Sequence, residues 1–497
     1  MDYIRNNTRD KWTIMMYMRD FELMAIYAYA LRESNDLSTE NIDEILAKME
    51  ADGIYHPRNG GSTFTGNFKA IQIAWYMFGY YKKNSRASEG KKLVFTPLGN
   101  LLLDNIKDRE RARLIFLTML YGIGFRHPFS QMDARFNIFG FRLIFKLLRD
   151  DRLGGKLYDD EVFYYVMFVK SISPDEYEQL VEDILALREK LSSDKYAEFK
   201  RNEHILGLAC HEWRYAVGML QSAGVLDVRE GVYVGNLTYG NINPKTGRPN
   251  AIRKYYTNYV SLNDEVVELL DSLLSSYPYY EKPYPEDDLE TKFSSSKVIE
   301  MYSFYPNELL VALGIDNNTD KAIASMLKIA SDINYYSREE VNTGCNFECA
   351  LTDAFNMFMD VEAERIGGSG NTDVECIYIR NNSDRKKFDI EAKSTSTKLG
   401  SINPIRLARH RSLIGSRYTI IVAPSYAIGV LSDIENDKSV IIKASTLANY
   451  FYQYISKNGR NISYAVLDEI VEANVGKDIT DSVNSYVYSN FGHSFTD

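Results

Sequence analysis

Cysteine is scarce in this sequence, with four residues in a chain of 497. So few cysteines do not supply a disulfide framework, which indicates a protein of a reducing compartment. Cys345 and Cys349 lie at the i, i+4 spacing of a helix, and Cys210 is followed directly by His211, a spacing that zinc sites do not use. We therefore predict that the cysteines are core residues, and we predict no zinc site.

Long hydrophobic runs are also absent. The longest apolar stretch, residues 70–81, is much shorter than the roughly 20 residues that a helix needs to span a bilayer. The amino terminus mixes both signs of charge and lacks the apolar segment of a signal peptide. From these absences we expect a cytoplasmic protein that has no membrane partner.

The chain has fewer positively charged than negatively charged residues, and its net charge is -10. An acidic balance argues against nucleic-acid binding, but here the charge is unevenly distributed. Residues 367–417 contain ten Lys or Arg against five Asp or Glu, and residues 241–256 contain no acid. The candidate DNA-binding cations in these and other basic stretches are Lys82, Lys83, Arg86, Lys91, Lys92, Arg214, Lys245, Arg248, Arg253, Lys254 and Arg406. Tyrosines interleave with several of them, a pattern that suits phosphate contact and base stacking, although a mobile solvated loop is an alternative.

The length of the chain predicts two to four domains, and its 45% hydrophobic and 25% charged residues are typical of a globular protein. Three prolines and several acids between residues 277 and 293 indicate a semi-rigid linker. We therefore expect a multidomain α+β protein with domains at residues 1–170, 171–276 and 338–497 and a linker region at 277–337.

The sequence of the amino-terminal half predicts helices followed by short strands. Helical patterns begin at Phe21 and at Ser38 or Thr39, a third covers residues 64–80, and a basic hairpin follows them. A second helix with trailing strands begins near His204. This order is that of a winged helix, which places one helix in the major groove and the wing on phosphate. We expect two such recognition subdomains, with a plain helical bundle as the alternative.

Residues 374–392 predict a β-hairpin with one apolar and one acidic face. If the turn is centred on Asn382, Val374 lies opposite Ile390 and Cys376 lies opposite Phe388. The other face then places two acid pairs together, Asp373 with Glu391 and Glu375 with Asp389, and Lys393 follows two residues after Glu391. Like charges facing each other are destabilising, so the pattern indicates a bound cation, and oxygen ligands of this kind suit Mg²⁺.

An Asp followed at a distance by Glu-x-Lys is the pattern of the PD-(D/E)xK nucleases. On its own it also fits a solvated charged hairpin. Its neighbours favour the nuclease interpretation, because Glu348 lies on a preceding helix, and Asn403-Pro404 begins a basic helix that carries Arg406 and His410. An apolar segment at residues 418–424 then has the character of a buried strand.

This order of elements resembles the cleavage domain of the AlwI-type restriction endonucleases, a Type IIS group that includes strand-nicking enzymes. The motifs that carry the resemblance are Phe347-Glu348, Gly370-Asn-Thr-Asp373, Glu391-Ala-Lys393-Ser and Leu407-Ala-Arg-His410, with a weaker likeness at Phe95-Thr-Pro-Leu-Gly. The resemblance implies a carboxy-terminal α/β PD-(D/E)xK domain with a central mixed sheet flanked by helices.

The resemblance also implies a function, Mg²⁺-dependent hydrolysis of double-stranded DNA outside a recognised sequence. Asp373, Glu391 and Glu348 are then the expected metal ligands, Lys393 orients or deprotonates the attacking water, and His410 contacts the same phosphate. The implied partners are a cognate DNA methyltransferase and a second nuclease subunit or a transient dimer.

Three alternatives stay open at this stage. The chain could be a recognition or nicking subunit of a heteromeric endonuclease, a DNA-binding protein whose nuclease-like domain does not cleave, or a transposon- or repair-type nuclease with the same motif. Intact acids and a lysine in one register favour an enzyme.

Overall fold

The computed structural model describes residues 3–7, 9–14, 19–34, 39–55, 76, 80–81, 91–127, 135–242, 249–284, 304–315, 321–338, 344–368, 371–381, 384–458 and 462–495. The chain divides into two compact units. Unit 1 comprises Met1–Gly79, Leu98–Lys292 and Ser494–Asp497, and unit 2 comprises Tyr80–Pro97 and Phe293–His493. No helix among the described residues is long and apolar enough to cross a membrane.

Unit 1 is mostly helical. Its helices are α1 (Phe21–Ser34), α2 (Thr39–Ala51), α3 (Pro97–Asp104), α4 (Arg109–Tyr121), α5 (Gly140–Leu148), α6 (Asp159–Tyr164), α7 (Pro174–Glu189), α8 (Ser192–Lys200), α9 (Glu203–Ser222) and α10 (Val267–Ser276). Ser173 and Glu176 form a capping box ahead of α7, with Pro174 at the first helical position. These local signals predict the helix start correctly. The predicted helix at residues 64–80 lies outside the described residues apart from Tyr76 and Tyr80.

Unit 1 also contains two small sheets. The strands β3 (Lys156–Tyr158), β7 (Tyr259–Leu262) and β4 (Leu226–Arg229) form one sheet in that order, and β5 (Tyr233–Ile242) pairs with β6 (Pro249–Tyr256) as an antiparallel hairpin. Gly224, with φ of +74°, lies between α9 and β4, where a left-handed residue lets the helix end. The hairpin packs its inner face against α9, and Gly207 of that helix meets Leu237 and Tyr239.

The segment at residues 277–284 differs from the expected linker because it packs on unit 1. Asn137 exchanges two hydrogen bonds with the backbone of Tyr284, at 2.7 and 2.9 Å. Arg142 is buried and forms an ion pair with Glu281 at 2.5 Å. Tyr121 donates a hydrogen bond to the carbonyl of Tyr277. These contacts join distant parts of the chain, so local composition did not predict them.

The short hairpin of β1 (Tyr80–Tyr81) and β2 (Lys91–Val94) belongs to unit 2. Gln453 of unit 2 donates a hydrogen bond to the carbonyl of Phe95, just after β2. The sequence placed this hairpin with the amino-terminal helices as their wing. The structure instead groups it with the carboxy-terminal unit, because its contacts are with residues far along the chain.

Unit 2 is built on a five-stranded mixed sheet in the order β12-β11-β10-β9-β8. The strands are β8 (Val361–Arg365), β9 (Val374–Asn381), β10 (Asp384–Ala392), β11 (Thr419–Ala423) and β12 (Ser439–Lys443). β10, β11 and β12 are parallel to one another, and β9 is antiparallel to both of its neighbours, β8 and β10. The remaining elements are α11 (Asn307–Ala312), α12 (Lys321–Tyr336), α13 (Gly344–Phe355), α14 (Pro404–Ile414), α15 (Ile428–Ile434), α16 (Ala444–Asn458), α17 (Ala465–Ala473), α18 (Thr480–Phe491) and β13 (His493–Phe495). The predicted central mixed sheet with flanking helices is present.

The register of the β9–β10 hairpin agrees with the sequence prediction. Val374 pairs with Ile390, Cys376 with Phe388 and Glu375 with Asp389. The apolar face is fully buried beneath aromatic side chains, with the ring of Phe388 stacked on Tyr464 at 4.6 Å. The opposite, acidic face is covered in part by α14, whose Leu407 packs in a second core with Ile421 and Ile441. The sheet therefore holds a rigid hydrophobic layer on one side and the acids on the other.

Candidate active site

Asp373 and Glu391 come together at the end of the β9–β10 hairpin. Asp373 Oδ2 accepts a hydrogen bond of 2.7 Å from the backbone N–H of Ala392, the residue after Glu391. Burial, followed by repulsion from the Glu391 charge, raises the pKa of Asp373 to about 7. Glu391 itself is only 1% exposed. The two carboxylates therefore lie in a poorly solvated site, where a cation would relieve their repulsion.

Cations surround one oxygen of Glu391 and leave the other free. Lys393 Nζ lies 2.5 Å from Glu391 Oε1, and Arg406 lies 3.8 Å from the same oxygen. Glu391 Oε2 is buried and has no hydrogen-bond partner among the described residues. It lies 3.8 Å from His410 Nδ1, which is also buried without a partner among them. Burial lowers the pKa of His410, so its ring is neutral at neutral pH.

Helix α14 places His410 and Arg406 over the acids. The Asn403 side chain caps the helix by accepting a hydrogen bond from the N–H of Arg406, and Pro404 occupies the first turn. The sequence predicted this start correctly. Because Arg406 and His410 are four residues apart, they lie on the same face of α14, and both approach Glu391.

Glu348 lies near the acid pair but is bound by a cation that the sequence analysis missed. Its Oε2 accepts a hydrogen bond of 2.7 Å from Arg365 Nε, and its charge contributes to the raised pKa of Asp373. Gly367 lies against this ion pair with φ of +57°, and a β-carbon there would come within 3.2 Å of the Glu348 carboxylate. The glycine thus lets the chain pass close to Glu348.

The other two acids of the predicted acidic face have separate environments. Glu375 forms an ion pair with Lys387 at 2.5 Å. Asp389 is fully buried and accepts hydrogen bonds from the hydroxyls of Thr372 and Thr419, and burial raises its pKa to about 6. The four carboxylates therefore do not form one equivalent set, because Lys387 binds Glu375 and threonine hydroxyls from a loop and from β11 bind Asp389.

The carboxylate oxygens of Asp373 and Glu391 are ligands that suit a hard cation. Among the residues that the structure describes, no group of three or more His, Cys, Asp or Glu side chains is arranged to hold a metal ion. Glu391 Oε2 has no hydrogen-bond partner among the described residues, and it lies in the same poorly solvated site as Asp373, so both carboxylates could offer an oxygen to one cation. Carboxylate oxygens are the ligands that Mg²⁺ takes in proteins.

The structure describes only part of the predicted DNA-binding set. Lys82, Lys83, Arg86, Lys245 and Arg248 lie outside the described residues, and Lys91 and Lys92 are described only as backbone of β2. Lys254 is exposed on the outer face of the β5–β6 hairpin. Arg214 lies 4.0 Å from Asp159 and stacks over Tyr256. Arg253 is half-buried on the face that meets α9.

Comparison with known proteins places the chain in a family. Residues 7–277 match the family model of the Type II restriction endonuclease HgaI, N-terminal domain. The Type II restriction enzyme HgaI of Avibacterium volantium is 36% identical over 486 residues, which cover 97% of this chain and 98% of the relative.

Two solved structures of the restriction endonuclease FokI were also matched. The DNA-bound structure is 12% identical, with coverage of 82% of this chain and 80% of that chain and a TM-score of 0.25. The second is 11% identical, with coverage of 94% and 100% and a TM-score of 0.26. Likenesses at these scores carry no argument about fold or function. The HgaI matches, which span more than half of the chain in one case and nearly all of it in the other, show that the chain belongs to the HgaI family of Type II restriction endonucleases.

Proposed function

We propose that Asp373, Glu391 and Lys393 form the catalytic centre with which this Type IIS restriction endonuclease hydrolyses DNA. The observation that carries the proposal is the position of buried Glu391, with Asp373 on one side and Lys393 Nζ 2.5 Å from its oxygen. Two carboxylates and a lysine in this relation are the active elements of a PD-(D/E)xK nuclease. We assign the chain to that group on these residues, and the AlwI-type relationship stays a prediction from the motifs.

Asp373 and Glu391 are the proposed ligands of Mg²⁺, and Glu348 is a third acid close to them. When bound, the ion would lower the pKa of a water molecule and neutralise charge on the phosphoryl oxygens. Glu348 enters this set only if it leaves Arg365, to which it is hydrogen bonded at 2.7 Å. We therefore give it a supporting role through its charge, next to the two principal ligands.

Lys393 is the proposed residue for the attacking water. Its side chain is 28% exposed, so the ammonium reaches both Glu391 and solvent. As an ammonium, Lys393 orients the water and stabilises the charge that develops on the phosphate. As a neutral amine, it would accept a proton from the water. Neutral His410 and charged Arg406 both approach Glu391 from α14. We assign them to the same phosphate, one as a hydrogen-bonding group and one as a cation.

Recognition of the DNA sequence is assigned to unit 1. Residues 7–277, which match the amino-terminal family model, contain no part of the proposed catalytic centre. We propose that winged-helix-like subdomains in this half read double-stranded DNA while the carboxy-terminal unit cleaves outside the recognised bases. Cleavage of both strands by one such centre needs a second copy or a second nuclease subunit, and a cognate methyltransferase protects the host sites.

Run-off sequencing of plasmid DNA cut by the purified protein tests this function. With Mg²⁺, the ends are expected at fixed distances to one side of a single recurring sequence, and EDTA is expected to abolish the cuts. Ends scattered without a common neighbouring sequence, or cuts inside the recurring sequence, would overturn the Type IIS assignment. A methylated plasmid from a strain that carries the cognate methyltransferase is the matched control.

A further inference from the structure

The β5–β6 hairpin of unit 1 lies in a long stretch of sequence that contains no acid. Residues 231–263 contain four cations, Lys245, Arg248, Arg253 and Lys254, and no Asp or Glu, in a chain whose net charge is -10. In the register of the hairpin, Arg253 pairs with Leu237 and Ala251 pairs with Tyr239. Leu237 is fully buried against α9, and Arg253 shares that inner face. The side chain of Arg253 therefore leaves the hairpin on the α9 side, where it is half-buried and partly open to solvent.

Arg253 is poorly neutralised in this position. Its Nε is buried and has no hydrogen-bond partner among the described residues, and no carboxylate is among the charges that shift its pKa. Burial lowers the pKa of Arg253, and the nearby positive charge of Arg19 lowers it further. An arginine stays protonated in proteins, so two guanidiniums that repel each other without an intervening acid make a strong local positive potential.

Arg19 is held beside this position by α9. The hydroxyl of Ser222 donates a hydrogen bond of 3.2 Å to the carbonyl of Arg19, and Arg19 side-chain atoms lie against Gly218, where a β-carbon would come within 3.0 Å of them. The guanidinium stacks over Tyr215 with its Cζ 4.1 Å from the ring centroid. Stacking on an aromatic face fixes the direction of the planar guanidinium and leaves its edge N–H groups available.

His211 completes this cluster on α9. Its ring lies 5.0 Å from those of both Tyr215 and Tyr239, and its Nδ1 is buried with no hydrogen-bond partner among the described residues. The acid next in sequence to Arg19 is already engaged, because Asp20 accepts a hydrogen bond from the N–H of Leu23 at the start of α1. The cluster thus combines two arginines and an unsatisfied histidine without a described carboxylate.

We propose that Arg19 and Arg253 form a binding site for a phosphate of the DNA backbone, with His211 and Tyr215 as its walls. The proposal rests on the proposed function, since it supplies a phosphate contact for the unit assigned to recognition. A phosphodiester matches the site because it is a monoanion with two acceptor oxygens, which suit N–H donors from two guanidiniums. Such a contact fixes the position of the duplex and reads no base.

The test measures duplex binding by the full-length protein in EDTA, so that binding is followed without cleavage. The variants are Arg19→Gln and Arg253→Gln, and the matched control is Arg149→Gln, whose exposed guanidinium is already paired with Asp271 at 2.7 and 2.8 Å. One duplex carries the sequence found by run-off sequencing and the other is unrelated. Arg19→Lys and Arg253→Lys keep the charge and serve as rescue variants.

Each Gln variant is expected to lose about tenfold in affinity for both duplexes alike, and the slope of log affinity against log salt should fall by about one. The Lys variants should keep the wild-type slope, and Arg149→Gln should behave as wild type. Unchanged slopes in folded Gln variants, or a loss confined to the specific duplex, would overturn the phosphate site.

Further measurements distinguish a free phosphate ion from a phosphate of DNA as the ligand. They also distinguish failure of the phosphate site from failure of the proposed function. If inorganic phosphate raises the melting temperature of wild type but not of Arg19→Gln, while both bind DNA equally, the cluster is a free-anion site and the DNA contact is wrong. If wild type neither cuts nor binds duplex DNA, the proposed function fails together with the inference. If wild type does both and the Gln variants match it, only the phosphate site fails.

Discussion

Glu391 is buried beside Asp373, and the cations Lys393 and Arg406 approach one of its two oxygens. A hairpin centred on Asn382 fixes which side chains face each other, so Asp373, Glu391 and Lys393 were placed together by spacing alone. Arg365, which binds Glu348, was missed because it lies on β8 and reaches Glu348 on α13 across the fold. Contacts between elements of this kind leave no periodic signal in the sequence.

The pKa of Asp373 leads to a prediction about stability. Because its pKa rises from 3.8 to about 7 on folding, the folded protein holds this proton more tightly than the unfolded chain. Stability from this group is therefore present at low pH and is lost as the pH rises from about 4 to about 7. Asp373→Asn has no such proton to lose, so we expect its thermal midpoint to fall less over this window.

Thermal unfolding in EDTA, followed by circular dichroism between these pH values, measures the difference between wild type and Asp373→Asn. Glu364→Gln, which changes an exposed acid of β8, is the matched control and should follow wild type. Other buried acids with raised pKa values, such as Asp159 and Asp389, are present in all three proteins, so the comparison isolates residue 373. Parallel curves for wild type and Asp373→Asn would show that Asp373 has an ordinary pKa.

Helix α14 owes its position to a buried polar network that begins one residue after His410. Arg411 Nη1 donates hydrogen bonds of 2.9 Å to the hydroxyls of Thr419 on β11 and Ser439 on β12, and its other nitrogen forms an ion pair with Asp437. Thr419 in turn donates to Asp389 on β10. The network ties the helix to three adjacent strands, and so it fixes where His410 and Arg406 lie relative to Glu391.

Arg411→Met should therefore weaken cleavage through position and not through contact with DNA. The substitution leaves Asp437 without its buried cation, which costs on the order of 3 kcal/mol. We expect a single-turnover cleavage rate at least about tenfold below wild type, since small displacements of catalytic groups have effects of this size or more. Urea unfolding and rapid-quench cleavage measure the two effects.

Arg409→Met is the matched control for this helix, because Arg409 is exposed on the same turn. It should keep both stability and the cleavage rate. DNA binding should persist in both variants. If Arg411→Met cleaves as fast as Arg409→Met, the network does not position the catalytic groups.

Whole elements were predictable where their signals are local. The capping box before α7, the Asn403-Pro404 start of α14 and the buried strand β11 all follow from short sequence patterns. The grouping of β1 and β2 with unit 2 did not follow, because it depends on side chains some hundreds of residues away, such as Gln453. The mixed helical and sheet character of the protein and these local elements were therefore accessible from sequence, and the assembly of distant elements was not.

At the scale of the molecule, the division into two units determines where the protein can be truncated without loss of stability. The sequence suggested that the recognition half ends at residue 276, before the proline-rich segment. The structure places residues 277–284 within unit 1, where Asn137 holds Tyr284 and Arg142 holds Glu281. Removal of these residues leaves buried Arg142 without its carboxylate, which is strongly destabilising.

A fragment of residues 1–284 should consequently be more stable than one of residues 1–276. Both lack the proposed catalytic centre, so neither is expected to cut, and the longer one should bind the specific duplex. Urea unfolding and fluorescence anisotropy with labelled DNA compare the two directly. Equal stability of the fragments would show that residues 277–284 are a linker, and cleavage by either would place a nuclease in unit 1.

Cleavage by Glu391→Gln tests the catalytic centre most directly. The amide keeps the volume of the side chain and removes the charge that would hold the metal, so the fold and specific DNA binding should survive. The rate in Mg²⁺ should fall by about 10³-fold or more, since ligation by this carboxylate serves both water activation and charge neutralisation. Glu364→Gln, on the exposed side of β8, should cut at the normal rate. Purified Glu391→Gln that is free of wild type and still cuts at nearly the normal rate would contradict the assignment, and the nuclease would then lie elsewhere in the chain.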